Sequence, residues 1–258
     1  MQIRTASQNQ VKLWRKLLMG KYRKKEGLFI AEGERCVEQI MKGKVLDVVA
    51  LIVDEDFEPG SEILIYRELL VRVRSEDFLS ISDTETPQGI IAVCKIPVPA
   101  KVDDFRPKKG VIVAMDAVQD PGNVGTIIRT ASWFGAAGIV FGEGTADPFH
   151  PKVVRSTAGA TGALPFVKGS LENLLPGFEK NGWKVYLMEG SEKAEDLNMV
   201  SAAEKSIMVI GNEGSGISDA IYTGDRTKVR IPGNHQNVES LNAAIALGIG
   251  LYHFRKQT

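Results

Sequence analysis

Val229-Arg230-Ile231-Pro232-Gly233-Asn234-His235-Gln236-Asn237-Val238-Glu239-Ser240-Leu241-Asn242-Ala243-Ala244-Ile245-Ala246-Leu247-Gly248 is the stretch from which the rest of the chain can be read. A short β-type run stops at Pro232-Gly233, and Asn234, His235, Gln236 and Asn237 then crowd side-chain amides and an imidazole into one turn. Such a loop binds a polar small molecule or caps structure. Glu239 and Ser240 stand where the first free N–H groups of a following helix are expected. Ala243, Ala244, Ala246 and Gly248 give that helix a thin face suited to close packing, for example between subunits. The plain alternative is a capped helix of an ordinary α/β domain.

The 258 residues suffice for one large domain or two small ones. The longest apolar runs, such as Val45 to Val53, are far too short to span a bilayer, and the first residues lack a signal-peptide layout. A cytoplasmic protein with no membrane partner is therefore expected. Cys36 and Cys94 have no second Cys or His at metal-ligand spacing, so buried reduced thiols are expected, with neither a disulfide framework nor a metal. Net charge is zero, so nucleic-acid binding would need a local basic patch. Residues 1–25 supply one: they carry Arg4, Lys12, Arg15, Lys16, Lys21, Arg23, Lys24 and Lys25, with no acidic residue among them. A solvated amphipathic helix face is the competing explanation.

Along the chain, Val11, Trp14, Leu17 and Leu18 form a helical stripe over Gln10 to Met19, with Gly20 expected to close it. Leu28 to Gly33 reads as a strand, Glu34 to Lys42 as a helix, and Val45 to Val53 as a buried strand by its β-branched content. Ser61 to Val73 reads as a strand or helix pair, Ser75 to Ser80 as a short helix, and Gly89 to Cys94 as a further strand. The proline- and charge-rich segment that follows reads as a linker, which separates a small α/β domain (1–96) from a second unit (108–258) across 97–107.

That second unit alternates again, with strands at Gly110 to Asp116, Gly138 to Phe141, Phe166-Val167, Trp183 to Met188 and Ile207 to Ile210. Helices are expected through Ile127, Ile128, Ala131 and Phe134, and near Val153 to Gly159. Three polar or glycine-rich loops, Asp120 to Arg129, Gly211 to Gly216 and Pro232 to Asn242, each follow a predicted strand, where α/β sheets place ligands. Gly211-Asn212-Glu213-Gly214-Ser215-Gly216 lacks the Gly-Lys-Ser/Thr of a phosphate loop and does not open a dinucleotide-type unit.

Together, Asp120-Pro121-Gly122-Asn123-Val124-Gly125 with Arg129-Thr130-Ala131, Gly211 to Gly216, and Ile231-Pro232 with Val238-Glu239-Ser240-Leu241-Asn242 resemble the three ordered motifs of the SpoU-type (TrmH-like) RNA ribose methyltransferases of the SPOUT superfamily. The resemblance covers about 108–258. Phe29-Ile30-Ala31-Glu32-Gly33 and Pro87-Gln88-Gly89-Ile90 resemble the family's N-terminal substrate-binding domain more weakly. It implies an α/β fold with a C-terminal trefoil-knotted SPOUT domain behind a small α/β RNA-binding domain, a homodimer, and S-adenosyl-L-methionine as cofactor. By motif position Gly211, Ile231 and Leu241 match residues whose backbone holds that cofactor, while Asn123, Arg129, Glu213 and Asn242 match active-site positions. The loop from Pro232 to Val238 is one residue longer than the usual family loop.

Methyl transfer from a sulfonium to a ribose 2′-hydroxyl needs in-line alignment, and positioning alone supplies several kcal/mol of barrier reduction. Arg129 is the residue expected to grip the phosphate beside the target ribose. The family mechanism makes it the base, but a guanidinium pKa above about 12 makes a neutral arginine costly. Glu213 and His235 are therefore retained as proton acceptors, the imidazole having an ordinary pKa of about 6.5. Structural capping and an exposed imidazole are their respective alternatives. Asn123 would fix Arg129 or the ribose, or only cap its helix.

Lys12, Arg15, Lys16, Arg23, Lys24, Lys25 and Arg155 are expected to meet RNA phosphates, and Trp14, Tyr22 or Phe149 to stack on bases, although Trp14 also lies on the apolar stripe. The expected activity is 2′-O-methylation of RNA, with rRNA favoured over tRNA. A non-catalytic ribosome-assembly factor and a base-methylating knotted enzyme are the rivals.

Overall fold

The computed structural model describes residues 3–234 and 240–255. His235, Gln236, Asn237, Val238 and Glu239 lie outside the described residues, and with them the candidate base His235, the expected cap Glu239 and most of the lengthened loop. The chain divides into two compact units. One runs to Val98 and includes Asp147–Ala163; the other comprises Pro99–Ala146 and the chain from Leu164 on.

In the first unit, β1 (Arg4–Thr5) leads into α1 (Gln8–Lys16), which opens with a reciprocal Ser7–Gln10 capping box. Gly20 does not close this helix but begins a second one, α2 (Gly20–Glu26). The guanidinium of Arg23 ties down the connection between the two helices. Its Nη1 donates to the carbonyls of Leu17 and Leu18, both at 2.9 Å, which satisfies acceptors left open where α1 ends.

The chain continues through β2 (Leu28–Glu32), α3 (Glu34–Gly43), β3 (Val48–Asp54), α4 (Ser61–Leu64), β4 (Leu70–Val73), α5 (Ser75–Ile81) and β5 (Ile90–Lys95). Ser61 to Val73 thus holds one helical turn and one strand. The five strands form a mixed sheet in the order β1-β4-β3-β5-β2, with β5 antiparallel to both neighbours. Val11, Trp14 and Leu17 of the predicted stripe pack against Ile30, Ile52, Val71 and Ile91 of this sheet.

The second unit contributes β6 (Gly110–Met115), α6 (Pro121–Trp133) and β7 (Gly138–Gly142) before the chain supplies α7 (Pro151–Ser156) to the first unit. Membership of Asp147–Ala163 in the first unit departs from the expected linear split, and side-chain partners explain it. Phe149 lies against Phe29 with ring centroids 5.0 Å apart, and Arg23 Nη2 pairs with Asp147 at 2.7 Å. Arg155 pairs with Asp83 at 2.8 Å and with buried Glu32 at 3.6 Å. None of these long-range pairs is encoded locally.

After α7 come β8 (Phe166–Gly169), α8 (Leu171–Lys180), β9 (Lys184–Met188), β10 (Glu195–Asp196), β11 (Lys205–Ile210), β12 (Thr227–Arg230) and α9 (Ala243–Arg255). Helix α8 escapes the sequence reading because Pro176 sits inside it, yet Leu171, Leu175 and Phe178 bury one face. The strands form a parallel sheet in the order β10-β12-β9-β11-β6-β7-β8. Their near-continuous apolar runs are what a sheet covered on both faces requires. Helix α9 approaches the sheet at Gly250, where a Cβ would lie 2.6 Å from Met208 Sδ, whereas Gly248 of the expected thin face meets Thr130 of α6.

Candidate active site

Because β6 and β11 are adjacent and parallel, their C-terminal ends deliver Asp116 to Asn123 and Gly211 to Gly216 to the same edge. Asn212 organises that edge. Its Oδ1 accepts the amides of Gly214 (2.9 Å) and Ser215 (3.0 Å), while its Nδ2 donates to the carbonyl of Ala117 at 2.9 Å. Ala117 is held at φ 52°, a left-handed conformation costing roughly 1–3 kcal/mol in a non-glycine residue. Paired backbone bonds between Asn212 and Gly216 close the second loop so tightly that a Cβ on Gly211 would lie 2.3 Å from the Gly216 carbonyl carbon. Buried Asp116 accepts the Ser218 amide at 2.7 Å and fixes the exit of the same loop.

Asp120 caps α6 by accepting the Asn123 amide at 2.7 Å, with Pro121 in the first turn. The Asn123 side chain is thereby left free to project from the helix N-terminus. Asn242 Oδ1 is committed to the amides of Ala244 (2.9 Å) and Ile245 (3.3 Å) at the start of α9. Asn242, not Ser240, is thus the residue that takes these first free N–H groups.

With its oxygen occupied, Asn242 presents Nδ2 to Asn123 Oδ1 at 2.8 Å, and Asn123 in turn presents Nδ2 to Glu213 Oε1 at 2.8 Å. The helix cap fixes the orientation of both amides, so every donor in the chain points toward Glu213. The other carboxylate oxygen lies 3.5 Å from the Gln119 amide. Asn123, Glu213 and Asn242, predicted separately from three motifs, form one hydrogen-bonded line.

Arg129 does not join it. It lies six residues beyond Asn123 on α6, turned well around the helix, exposed, and without a hydrogen-bond or ion-pair partner among the described residues. Gly211 and Ile231 directly follow β11 and β12 at the same sheet edge, and exposed Leu241 immediately precedes Asn242. Their backbone groups take no part in the loop hydrogen bonds of the described residues. Asn212, Asp116 and Gln119 were not singled out as site residues. The Asn-Glu-Gly run was the available signal for Asn212, whereas the other two act only through partners about a hundred residues away.

The basic stretch divides. Lys12, Arg15, Lys16, Lys24 and Lys25 are exposed, with Lys16 Nζ 5.3 Å from the Tyr22 ring centre and Arg15 donating to Ser80. Arg23 is not a surface cation: it is 2% exposed and consumed by Asp147 and the α1 carbonyls. Arg155 is held by Asp83 and Glu32, and Phe149 and Trp14 are buried, so none of these three presents the free surface expected of an RNA contact. Burial pushes both thiols up, Cys36 to about 11. Among the described residues no group of three or more His, Cys, Asp or Glu is placed to hold a metal ion, and no helix is long and apolar enough to cross a membrane.

Comparison with known proteins bears on the family and the fold. Residues 110–252 match the SpoU rRNA Methylase family model, and residues 8–92 match the MRM3-like substrate binding domain. The chain is 36% identical over 262 residues to the 23S rRNA (guanosine(2553)-2′-O)-methyltransferase RlmP of Bacillus subtilis, covering 98% of this chain and 99% of that protein. Among solved structures, an AdoMet-bound rRNA methyltransferase from Sinorhizobium meliloti superposes with a TM-score of 0.85 at 28% identity, covering 98% of this chain and 97% of that one. The SpoU methyltransferase AviRb from Streptomyces viridochromogenes, in complex with AdoMet, gives 0.84 at 25% identity, covering 97% and 98%. From its motifs, its parallel sheet and these matches, the chain belongs to the SpoU rRNA methylase family.

Proposed function

We propose that this protein transfers a methyl group from S-adenosyl-L-methionine to a ribose 2′-hydroxyl of ribosomal RNA. The observation that carries the reading is the line Asn242–Asn123–Glu213, which joins the three family motifs at the C-terminal edge of the parallel sheet. The similar 23S rRNA 2′-O-methyltransferases favour rRNA over tRNA.

The residues present fit the cofactor by the chemistry of their donor set. Gly211, Ile231 and Leu241 carry backbone groups that take no loop hydrogen bond among the described residues, which suits the polar atoms of an adenosyl group. When bound, S-adenosyl-L-methionine supplies an activated methyl on a sulfonium. The chain's own residues do the rest. Asn123 and the Gln119 amide hold Glu213 as an acceptor, so that its carboxylate is oriented to hold the substrate hydroxyl and receive its proton. Arg129, permanently charged and without a partner among the described residues, is assigned the adjacent RNA phosphate. Lys12, Arg15, Lys16, Lys24 and Lys25 extend phosphate contacts over the N-terminal domain.

A homodimer belongs to the same reading. Ile245, Ile249 and Tyr252 line one outward stripe of α9 at 55%, 39% and 52% exposure, and Trp133 on neighbouring α6 is 80% exposed. Arg129 lies one turn before Trp133 on the same face of α6, so a second copy covering this surface would meet it. A C-terminal trefoil knot, a substrate-binding N-terminal domain and a cytoplasmic location complete the proposal.

The test is transfer of labelled methyl from S-adenosyl-L-methionine to unmodified rRNA and tRNA, with Arg129→Ala as control, followed by nucleoside analysis. A 2′-O-methylnucleoside that depends on Arg129 and appears in the rRNA pool is expected. Base methylation, or cofactor binding without transfer to either RNA, would defeat the reading.

A further inference from the structure

One acidic side chain on the cofactor edge has no role in the chemistry just described. Strand β9 lies between β11 and β12, so the residue following it, Glu189, sits between Gly211 and Ile231 at the sheet's C-terminal edge. Its backbone amide donates to the Val229 carbonyl at 2.9 Å, which fixes where its side chain leaves the sheet. Leu187 partners Lys228 across the ladder, and Glu189, two residues later, projects on the same face as that pair.

On this face stands Tyr222, whose hydroxyl lies near enough to the Glu189 carboxylate to feel its charge. The ring packs against the apolar core of this unit, and Lys228 Nζ lies over it, 4.7 Å from its centre. Burial first, and then Glu189, Asp219 and Asp116, push the phenol well above its ordinary range, so it remains a proton donor. Glu189 is therefore a half-buried carboxylate beside a phenolic donor, with acceptor capacity left over.

We propose that Glu189, positioned by Tyr222, accepts the vicinal hydroxyls of the ribose in the cofactor's adenosyl group. An ionised carboxylate is acceptor-only, and its two oxygens match the two donors of a cis-diol. Dinucleotide-binding sheets use an acidic residue near a strand end in the same way. Glu189 is a binding residue and Tyr222 a positioning residue; neither touches the transferred methyl. The assignment rests on the cofactor reading proposed for this protein.

Binding, not turnover, tests it. Isothermal titration compares S-adenosylhomocysteine, its 3′-deoxy analogue and 5′-methylthioadenosine on the wild type, Glu189→Ala and Tyr222→Phe, with thermal melting checking that each variant is folded. The wild type should prefer the parent to the deoxy analogue by about 10-fold, as expected for a hydrogen bond to a charged acceptor. Glu189→Ala should abolish that preference, and Tyr222→Phe should reduce it while leaving the melting temperature nearly unchanged. Equal wild-type affinity for parent and deoxy analogue, or a preference that survives Glu189→Ala, overturns the ribose assignment alone. So does a loss confined to S-adenosylhomocysteine that spares 5′-methylthioadenosine, which would make the amino-acid ammonium the partner. A wild type that binds none of the three overturns the cofactor reading with it.

Discussion

Asn242 and Asn123, 119 positions apart, share a 2.8 Å side-chain hydrogen bond whose direction is set by a helix cap. One residue thus starts α9 and orients the candidate catalytic carboxylate, so stability and activity are linked at this site and can be separated by the choice of substitution. Asn242→Asp keeps the capping oxygen and removes the donor to Asn123, whereas Asn242→Ala removes both. Both variants should lose methyl transfer by on the order of 100-fold, while only the alanine variant should also lose about 1 kcal/mol of stability. Single-turnover transfer and urea denaturation read the two effects.

Arg129 should behave in the opposite way to a structural arginine. It is exposed and unpartnered among the described residues, so Arg129→Ala should leave the melting temperature within about 1 °C of the wild type, as surface substitutions do. Transfer should fall by at least 100-fold, on the order expected for loss of a charge-stabilising contact. A variant that melts much earlier would mean the side chain has a structural partner.

Arg23 is the contrasting case. Arg23→Ala strands the Leu17 and Leu18 carbonyls and removes the ion pair to Asp147, and should cost about 3 kcal/mol. Lysine should not rescue it, because one ammonium cannot replace the fork that serves two carbonyls and a carboxylate. Lys24→Ala with Lys25→Ala should instead leave stability alone and lower the salt dependence of RNA binding by about one to two in slope.

The thiols give a pH test. Cys36 is pushed up to about 11 by burial, so the folded state disfavours its thiolate relative to an unfolded thiol titrating at about 8.5. The associated stability is therefore fully present below pH 8 and is lost as pH rises toward 11. Cys94 is shifted the same way by the same cause. Native protein at pH 8 should resist iodoacetamide until it is unfolded, and Cys36→Ala should flatten part of the stability loss between pH 8 and 10.5.

Dimerisation is checked at α9. Ile249→Asp places a charge on the exposed apolar stripe, and sedimentation should change from dimer to monomer without loss of helix signal. A wild type that sediments as a monomer would sink the subunit-interface reading.

Local pattern was enough for the alternation of strands and helices, the apolar stripe of Val11, Trp14 and Leu17, and the three loops at strand ends, since each depends on neighbours within a few residues. The motifs in those loops were enough for the family, now supported by the match over residues 110–252. Other features needed the folded chain. Charge counting treats Arg23, Arg155 and Lys24 alike, yet Asp147, Glu32 and Asp83 take up the first two, and those partners come from elsewhere in the chain. Assignment of Asp147–Ala163 to the first unit follows from the same pairs and from Phe149 against Phe29. Helix α8 forms despite Pro176 because packing of Leu171, Leu175 and Phe178 outweighs a local propensity. The line from Asn242 to Glu213 was likewise decided by tertiary structure. Sequence names its members, but the parallel pairing of β6 with β11 and the packing of α6 along α9 set the distances that make them one network.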